Sequence, residues 1–104
     1  MKHVADSRRF SIVQTNLDEC FRCLKVPVEK HEIFYGTAER QKSKDWGMVV
    51  ALCPECHRKV HRFKEIDRGL KRIGQTIFEK EYGHEKFMDV FHRNYLEGSE
   101  DDSL

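Results

Sequence analysis

Two Cys-x-x-Cys pairs, Cys20-Phe-Arg-Cys23 and Cys53-Pro-Glu-Cys56, constrain this chain more than any other feature. Four thiolates at this spacing suit a tetrahedral structural zinc, because each pair forms a tight knuckle whose sulfurs both point at an ion about 2.3 Å away. Two disulfides, or thiol redox chemistry, are the competing uses of four cysteines in a short chain. The second pair runs straight into His57 and then His61. These lie four apart, so on a helix that starts at the knuckle both imidazoles project from one face. They can then share a cation that the thiolates do not use.

The chain has 104 residues, of which 38% are hydrophobic and 36% charged, a size suited to one small domain. Such a domain buries a modest fraction of its surface, so an ion that binds the folded state and barely binds the unfolded one would supply much of its stability. The first nineteen residues hold Lys2, Asp6, Arg8, Arg9, Asp18 and Glu19 with no apolar run resembling a signal peptide. No stretch is apolar enough to span a bilayer. The expected address is a reducing cytoplasm, with no membrane partner, and there cysteines favour metal over disulfide.

Net charge is +1, but its distribution is uneven. From Cys20 to Arg72 there are thirteen Lys and Arg against seven Asp and Glu, while Glu97 to Leu104 carries four acids and no base. Positive charge around the metal-binding residues suits a protein that handles phosphates, and a solvated lysine-rich surface is the plainer alternative. Arg40, Lys42, Lys44, Arg58, Lys59 and Arg62 are the candidate phosphate contacts. Tyr35 and Trp46 could stack on a base or pack in the core.

Residues 1–10 read as a flexible lead, 11–96 as the domain and 97–104 as a disordered acidic tail. The alternation of Phe10, Ile12 and Gln14 is too weak for a firm strand. Val26 to Gly36, rich in β-branched and aromatic residues, reads as extended and contains His31 and Glu32. Thr37 to Asp45 is polar and basic and reads as a loop, with Gly47 at its end. Met48 to Cys53 is an apolar run of strand length, and Pro54 suits the first turn of a helix. Ile66, Leu70, Ile73, Ile77 and Phe78 follow helical spacing and predict an amphipathic helix ending at Gly83. A last short helix over 84–91 presents Phe87, Met88, Val90 and Phe91 back to it. The class is α+β.

A histidine on the first strand and two more on the following helix make the layout of a ββα-metal site, which holds one divalent cation against a phosphate. Here the sequence resembles the HNH endonucleases, in particular the branch with zinc knuckles. Leu52-Cys-Pro-Glu-Cys-His57 matches that branch's signature residue for residue. More narrowly, Ser11-Ile-Val-Gln, His31-Glu-Ile-Phe-Tyr-Gly-Thr-Ala-Glu-Arg-Gln-Lys-Ser-Lys, Leu70-Lys-Arg-Ile-Gly-Gln75 and Asn94-Tyr-Leu96 resemble phage and prophage proteins of the Ref type. These are RecA-dependent HNH nucleases, and the likeness covers roughly residues 11 to 96.

The resemblance implies a small zinc-stapled ββα-metal (HNH) domain with additional C-terminal helices. It implies hydrolysis of DNA phosphodiester bonds in phage recombination or DNA processing, with DNA and a RecA filament as partners. Cys20, Cys23, Cys53 and Cys56 would hold the structural Zn2+. By position in the motif His31 is a ligand of a catalytic Mg2+, Mn2+ or Zn2+, Glu32 the general base, and His57 and His61 further ligands. A cation held by few protein groups keeps positions open for a phosphate oxygen and the leaving oxygen. Two departures count against this. Glu32 stands where histidine is usual, which leaves an exchange of roles with His31 open, since consecutive strand residues face opposite sides unless the strand bulges. The asparagine expected before the second strand is missing, with Asp45 as a possible substitute. The alternative function is a catalytically degenerate zinc-binding module for DNA or protein. His3, His84 and His92 match nothing in the motif.

Overall fold

Met48 to Leu52, the most apolar run of the chain, ends up enclosed, no residue of it more than 2% exposed. The computed structural model describes residues 10–96, so His3, the acidic tail and the expected lead apart from Phe10 lie outside the described residues. The elements run β1 (Glu29–Glu32), α1 (Glu39–Trp46), β2 (Val49–Leu52), α2 (Pro54–Arg62), α3 (Lys64–Tyr82) and α4 (His84–Phe91). This is a small α+β domain with a two-stranded sheet and four helices among the described residues. None of those helices is long and apolar enough to cross a membrane.

β1 and β2 pair antiparallel in unbroken register, Glu29 opposite Leu52, Lys30 opposite Ala51, His31 opposite Val50 and Glu32 opposite Val49. The far edge of β2 would carry orphan backbone groups, and the irregular segment before the first knuckle satisfies them. Ser11 Oγ donates to Val49 O at 2.6 Å, Ala51 N donates to Gln14 Oε1 at 2.8 Å, and Phe21 N donates to Ala51 O at 2.8 Å. Residues 11–14 thus serve the sheet through single contacts, without becoming a third strand.

The expected loop over 37–45 is instead mostly helix, α1, and the reason is physical. Its eight residues, ERQKSKDW, have good helix propensity but no apolar stripe. It docks through Ser43, whose hydroxyl accepts from Phe34 N at 3.0 Å and donates to Phe34 O at 2.7 Å, and through Trp46, packed on Phe78 and Tyr82. Gly47 is the helix's C-cap at φ 73°, donating to Lys44 O and Ser43 O, which only glycine does without strain. A Cβ there would also come within 3.0 Å of Ile12 N and of the Phe10 ring. The expected strand over 26–36 shortens to four residues, since Leu24 to Pro27 is exposed and the chain bends at Ile33 and Phe34.

The helices after α2 fall where the apolar spacing predicts. Leu70 and Phe78 of α3 and Phe87 and Phe91 of α4 close over Phe34, with Phe34 and Phe91 ring centroids 4.5 Å apart. Gly74 lets α3 approach the sheet, its Cβ position 3.4 Å from Ile33 and Met48. Gln75 is fully buried and ties down the end of the domain. Its Nε2 donates to Asn94 Oδ1 at 2.9 Å and its Oε1 accepts from Tyr95 N at 2.8 Å. The Leu70–Gln75 and Asn94–Leu96 segments, far apart in sequence, therefore meet for a structural reason.

Candidate metal centres

The first knuckle is a tight turn. Leu24 N donates to Cys20 O and Cys20 N to Lys25 O, with Leu24 left-handed at φ 69°. The second is the start of α2, where Pro54 takes the first helical position and Cys53 is the N-cap, its Sγ accepting from Cys56 N. The four cysteines are free, and their sulfurs all lie within 4.8 Å of one another. Cys23 Sγ is 3.7 Å from Cys53 Sγ and 3.9 Å from Cys56 Sγ. Sulfurs bound tetrahedrally to one zinc are about 3.8 Å apart, given bonds of about 2.3 Å. The set fits a structural zinc.

Its electrostatics call for a cation as well. Burial raises the Cys20 thiol, but backbone N–H groups of Cys53, Cys23 and Arg22 outweigh it and bring the group down to about 6. Burial, and then the neighbouring sulfurs, push Cys56 up to about 12. Thiolates this close ionise together only when a positive ion sits among them. Arg22 Nη1, 3.4 Å from Cys56 Sγ, adds a partial counter-charge.

A second cluster lies where β1 meets α2. One ring nitrogen each from His31, His57 and His61 falls within 4.8 Å of the others, with His31 buried, His57 half-buried and His61 exposed. The i, i+4 spacing on α2 puts His57 and His61 side by side, their ring centroids 5.1 Å apart, and β1 brings His31 to 5.0 Å from one and 5.4 Å from the other. His31 Nδ1 is 3.2 Å from His57 Nε2. Two nitrogens about 2.1 Å from a shared ion would stand about 3.0–3.4 Å apart at octahedral to tetrahedral angles. His31 Nε2 is buried with no hydrogen-bond partner. Burial first, then the His57 and His61 rings and the charges of Lys71 and Arg40, push the His31 imidazole down to about 3. It is therefore neutral at physiological pH, the form that offers a lone pair.

Glu29 belongs to this cluster and was missed in the sequence. Its Oε1 lies 2.7 Å from His57 Nδ1, which leaves His57 Nε2 turned toward His31. A carboxylate on the far nitrogen fixes a histidine's tautomer and ring plane for a metal. The signal was available, since Glu29 is two residues before His31 and shares its strand face. Glu32 is on the other face. Its carboxylate is 3.4 Å from Arg40 Nη1 and 4.0 Å from Lys30 Nζ, and it is not among the clustered ligand atoms. The unbroken β1–β2 register contains no bulge that would bring both His31 and Glu32 to one side.

Tyr35 completes the wall. Its ring is 5.2 Å from that of His61, and its hydroxyl donates to Asp67 Oδ2 at 3.0 Å, while Lys71 Nζ stands 4.5 Å over the ring. Burial, together with Asp67, pushes the hydroxyl up to about 12. Tyr35 and Trp46 are each half-buried, Tyr35 against His61 and Lys71 and Trp46 against Phe78 and Tyr82. Asp45 Oδ1 accepts from Gln41 Nε2 within α1, and the side-chain bonds from α1 to the backbone of Phe34 are made by Ser43.

His57 and His61 line a cleft of about 840 Å³ together with Glu29, Arg58, Lys59 and Arg62. Three of the six basic residues singled out in the sequence therefore border the histidine cluster. Arg40 and Lys42 are on α1 and pair with Glu32 and Glu39, and Lys44 is exposed near the end of that helix. His84 and His92 are exposed and away from the cluster, His84 Nδ1 lying 2.7 Å from Glu79 Oε2. Comparison with known proteins finds no family model, no curated protein and no solved structure that matches the chain.

Proposed function

We propose that the chain is a metal-dependent endonuclease of the ββα-metal type that hydrolyses DNA phosphodiester bonds beside a zinc-stapled scaffold. The observation that carries this reading is the convergence of His31, from the strand, with His57 and His61, from the helix, beside an open cleft that sets Arg58, Lys59 and Arg62 against Glu29 and Glu55, the last 3.7 Å from Lys59 Nζ. His31, His57 and His61 would hold the cation. When bound, it neutralises charge on the phosphate and lowers the pKa of water. Glu29 holds His57 in the tautomer that frees Nε2. Arg58, Lys59 and Arg62 bind phosphates along the cleft and orient the strand. The exposed side of His61 leaves room for a phosphate oxygen.

A second reading has one observation in its favour. Glu32, the base by resemblance, is held by Arg40 on the opposite strand face, so it does not reach the cluster, and His31, the other candidate base, is among the cation's ligands. That favours a zinc-stapled DNA-binding or protein-binding module without hydrolytic activity. Nicking of supercoiled plasmid with magnesium or manganese, with and without a RecA filament on the substrate, separates the two. The nuclease reading expects nicking by the wild-type protein and its loss in His57→Ala, with the four-cysteine site still loaded. DNA binding with no nicking by either protein under any metal would leave the module.

A further inference from the structure

α3 follows α2 with only Phe63 between them, so the basic run of Arg58, Lys59 and Arg62 continues into a second cleft. That cleft, of about 710 Å³, lies between the first half of α3 and the segment after α4. Its walls carry five cations, Lys64, Arg68, Lys71, Arg72 and Arg93. Two carboxylates oppose them, Glu65 and Asp67; Asp67 Oδ2 is engaged by Lys71 Nζ at 3.1 Å and the Tyr35 hydroxyl at 3.0 Å, while its Oδ1 is buried without a hydrogen-bond partner. Arg72 is held in place by the bond from its Nε to Tyr95 O at 3.2 Å, yet its Nη2 is buried with no partner. Lys71 also stands over Tyr35, whose ring lies against His31 and His61, so this cleft adjoins the histidine cluster through Tyr35.

We infer that this second cleft is a binding site for the phosphodiester backbone of DNA, so that one strand runs from Arg62 past the histidines into the α3 groove. The inference rests on the nuclease reading for the direction of the strand, but binding in the groove needs no cleavage. The occupant is an extended polyanion, because Lys64, Arg68 and Arg72 follow one another four residues apart along one helix face, with Lys71 three residues after Arg68 beside them. Such contacts position DNA without reading its sequence.

The test is binding of a fluorescein-labelled duplex by anisotropy across a salt series, with zinc retained and no other divalent ion added. Lys64→Gln/Arg68→Gln/Arg93→Gln should lower the slope of log K against log salt by about 2.7, since each duplex phosphate contact contributes about 0.9. Lys64→Gln alone, at an exposed position, should lower it by about 0.9, which keeps the test open if the triple variant folds poorly. Lys80→Gln, at an exposed position of α3 outside the groove, should keep the wild-type slope. An unchanged slope in both groove variants, or no DNA binding by the wild-type protein, overturns the inference. So does loss of affinity for polyglutamate with DNA binding intact, which would give the groove to an acidic protein. Absence of nicking while the groove variants still shift the slope would refute the nuclease reading and leave this site standing.

Discussion

Replacing Ser43 with alanine removes one oxygen atom from a helix whose other side chains are almost all polar, and the structure makes that atom expensive to lose. Ser43 is fully buried, and its hydroxyl serves both backbone groups of Phe34, accepting from N at 3.0 Å and donating to O at 2.7 Å. No other hydrogen-bonding group takes either place in Ser43→Ala, so a buried N–H and a buried C=O are both left bare, at about 1–3 kcal/mol each. Alanine's better helix propensity returns about 0.5 kcal/mol. The net expectation is a loss of about 1.5–5.5 kcal/mol, a large share of the roughly 5–15 kcal/mol typical of a domain. Urea unfolding of the zinc-loaded protein, followed by fluorescence of Trp46 on the same helix, reads this directly as a lower midpoint at constant slope. A loss below about 0.5 kcal/mol would show that water or relaxation meets the Phe34 groups, and that α1 is held by Trp46 alone.

Other consequences can be measured as readily. Gly47→Ala forces a Cβ at φ 73° against Ile12 N and Phe10, and should cost at least about 1–2 kcal/mol in the same assay; a neutral result would mean that the segment before the first knuckle is not docked there. Glu29→Ala should weaken binding of a divalent ion at the histidine cluster by about 10- to 100-fold, whereas Glu29→Gln, which keeps an oxygen for His57 Nδ1, should recover most of it in calorimetric titrations. Equal losses in the two would make charge, not orientation, the role of Glu29. Glu32→Gln should leave plasmid nicking within a few-fold of wild type, because its carboxylate faces Arg40. A drop of about 10²- to 10⁴-fold would restore it as the general base.

Much of this architecture could be read from residue order because the relevant signals are local. The two knuckles, the start of α2 at Pro54 and the i, i+4 pair of histidines depend on spacing within one turn, and the ends of α3 and α4 follow apolar periodicity up to Gly83 and Phe91. α1 was not legible because its anchoring residues are a serine and a tryptophan, so the helix face that enters the core carries no apolar stripe. The position of Glu32 turned on whether β1 bulges, which no single residue announces; the regular register decides the face it occupies. Glu29 was discoverable from strand alternation. The anchoring of α1 through Ser43 was not, since its partner Phe34 is nine residues away in sequence.

The account depends on two separate metal sites, four sulfurs in one and three imidazoles in the other. Native mass spectrometry of the wild-type protein and of the His31→Ala/His57→Ala/His61→Ala variant, both equilibrated with zinc and a second divalent ion, counts them directly. The expected result is one fewer bound ion in the variant, with one zinc retained. Identical counts in the two proteins would contradict a cation site at the histidines, and loss of every ion from the variant would mean that the sulfur and imidazole clusters do not bind independently.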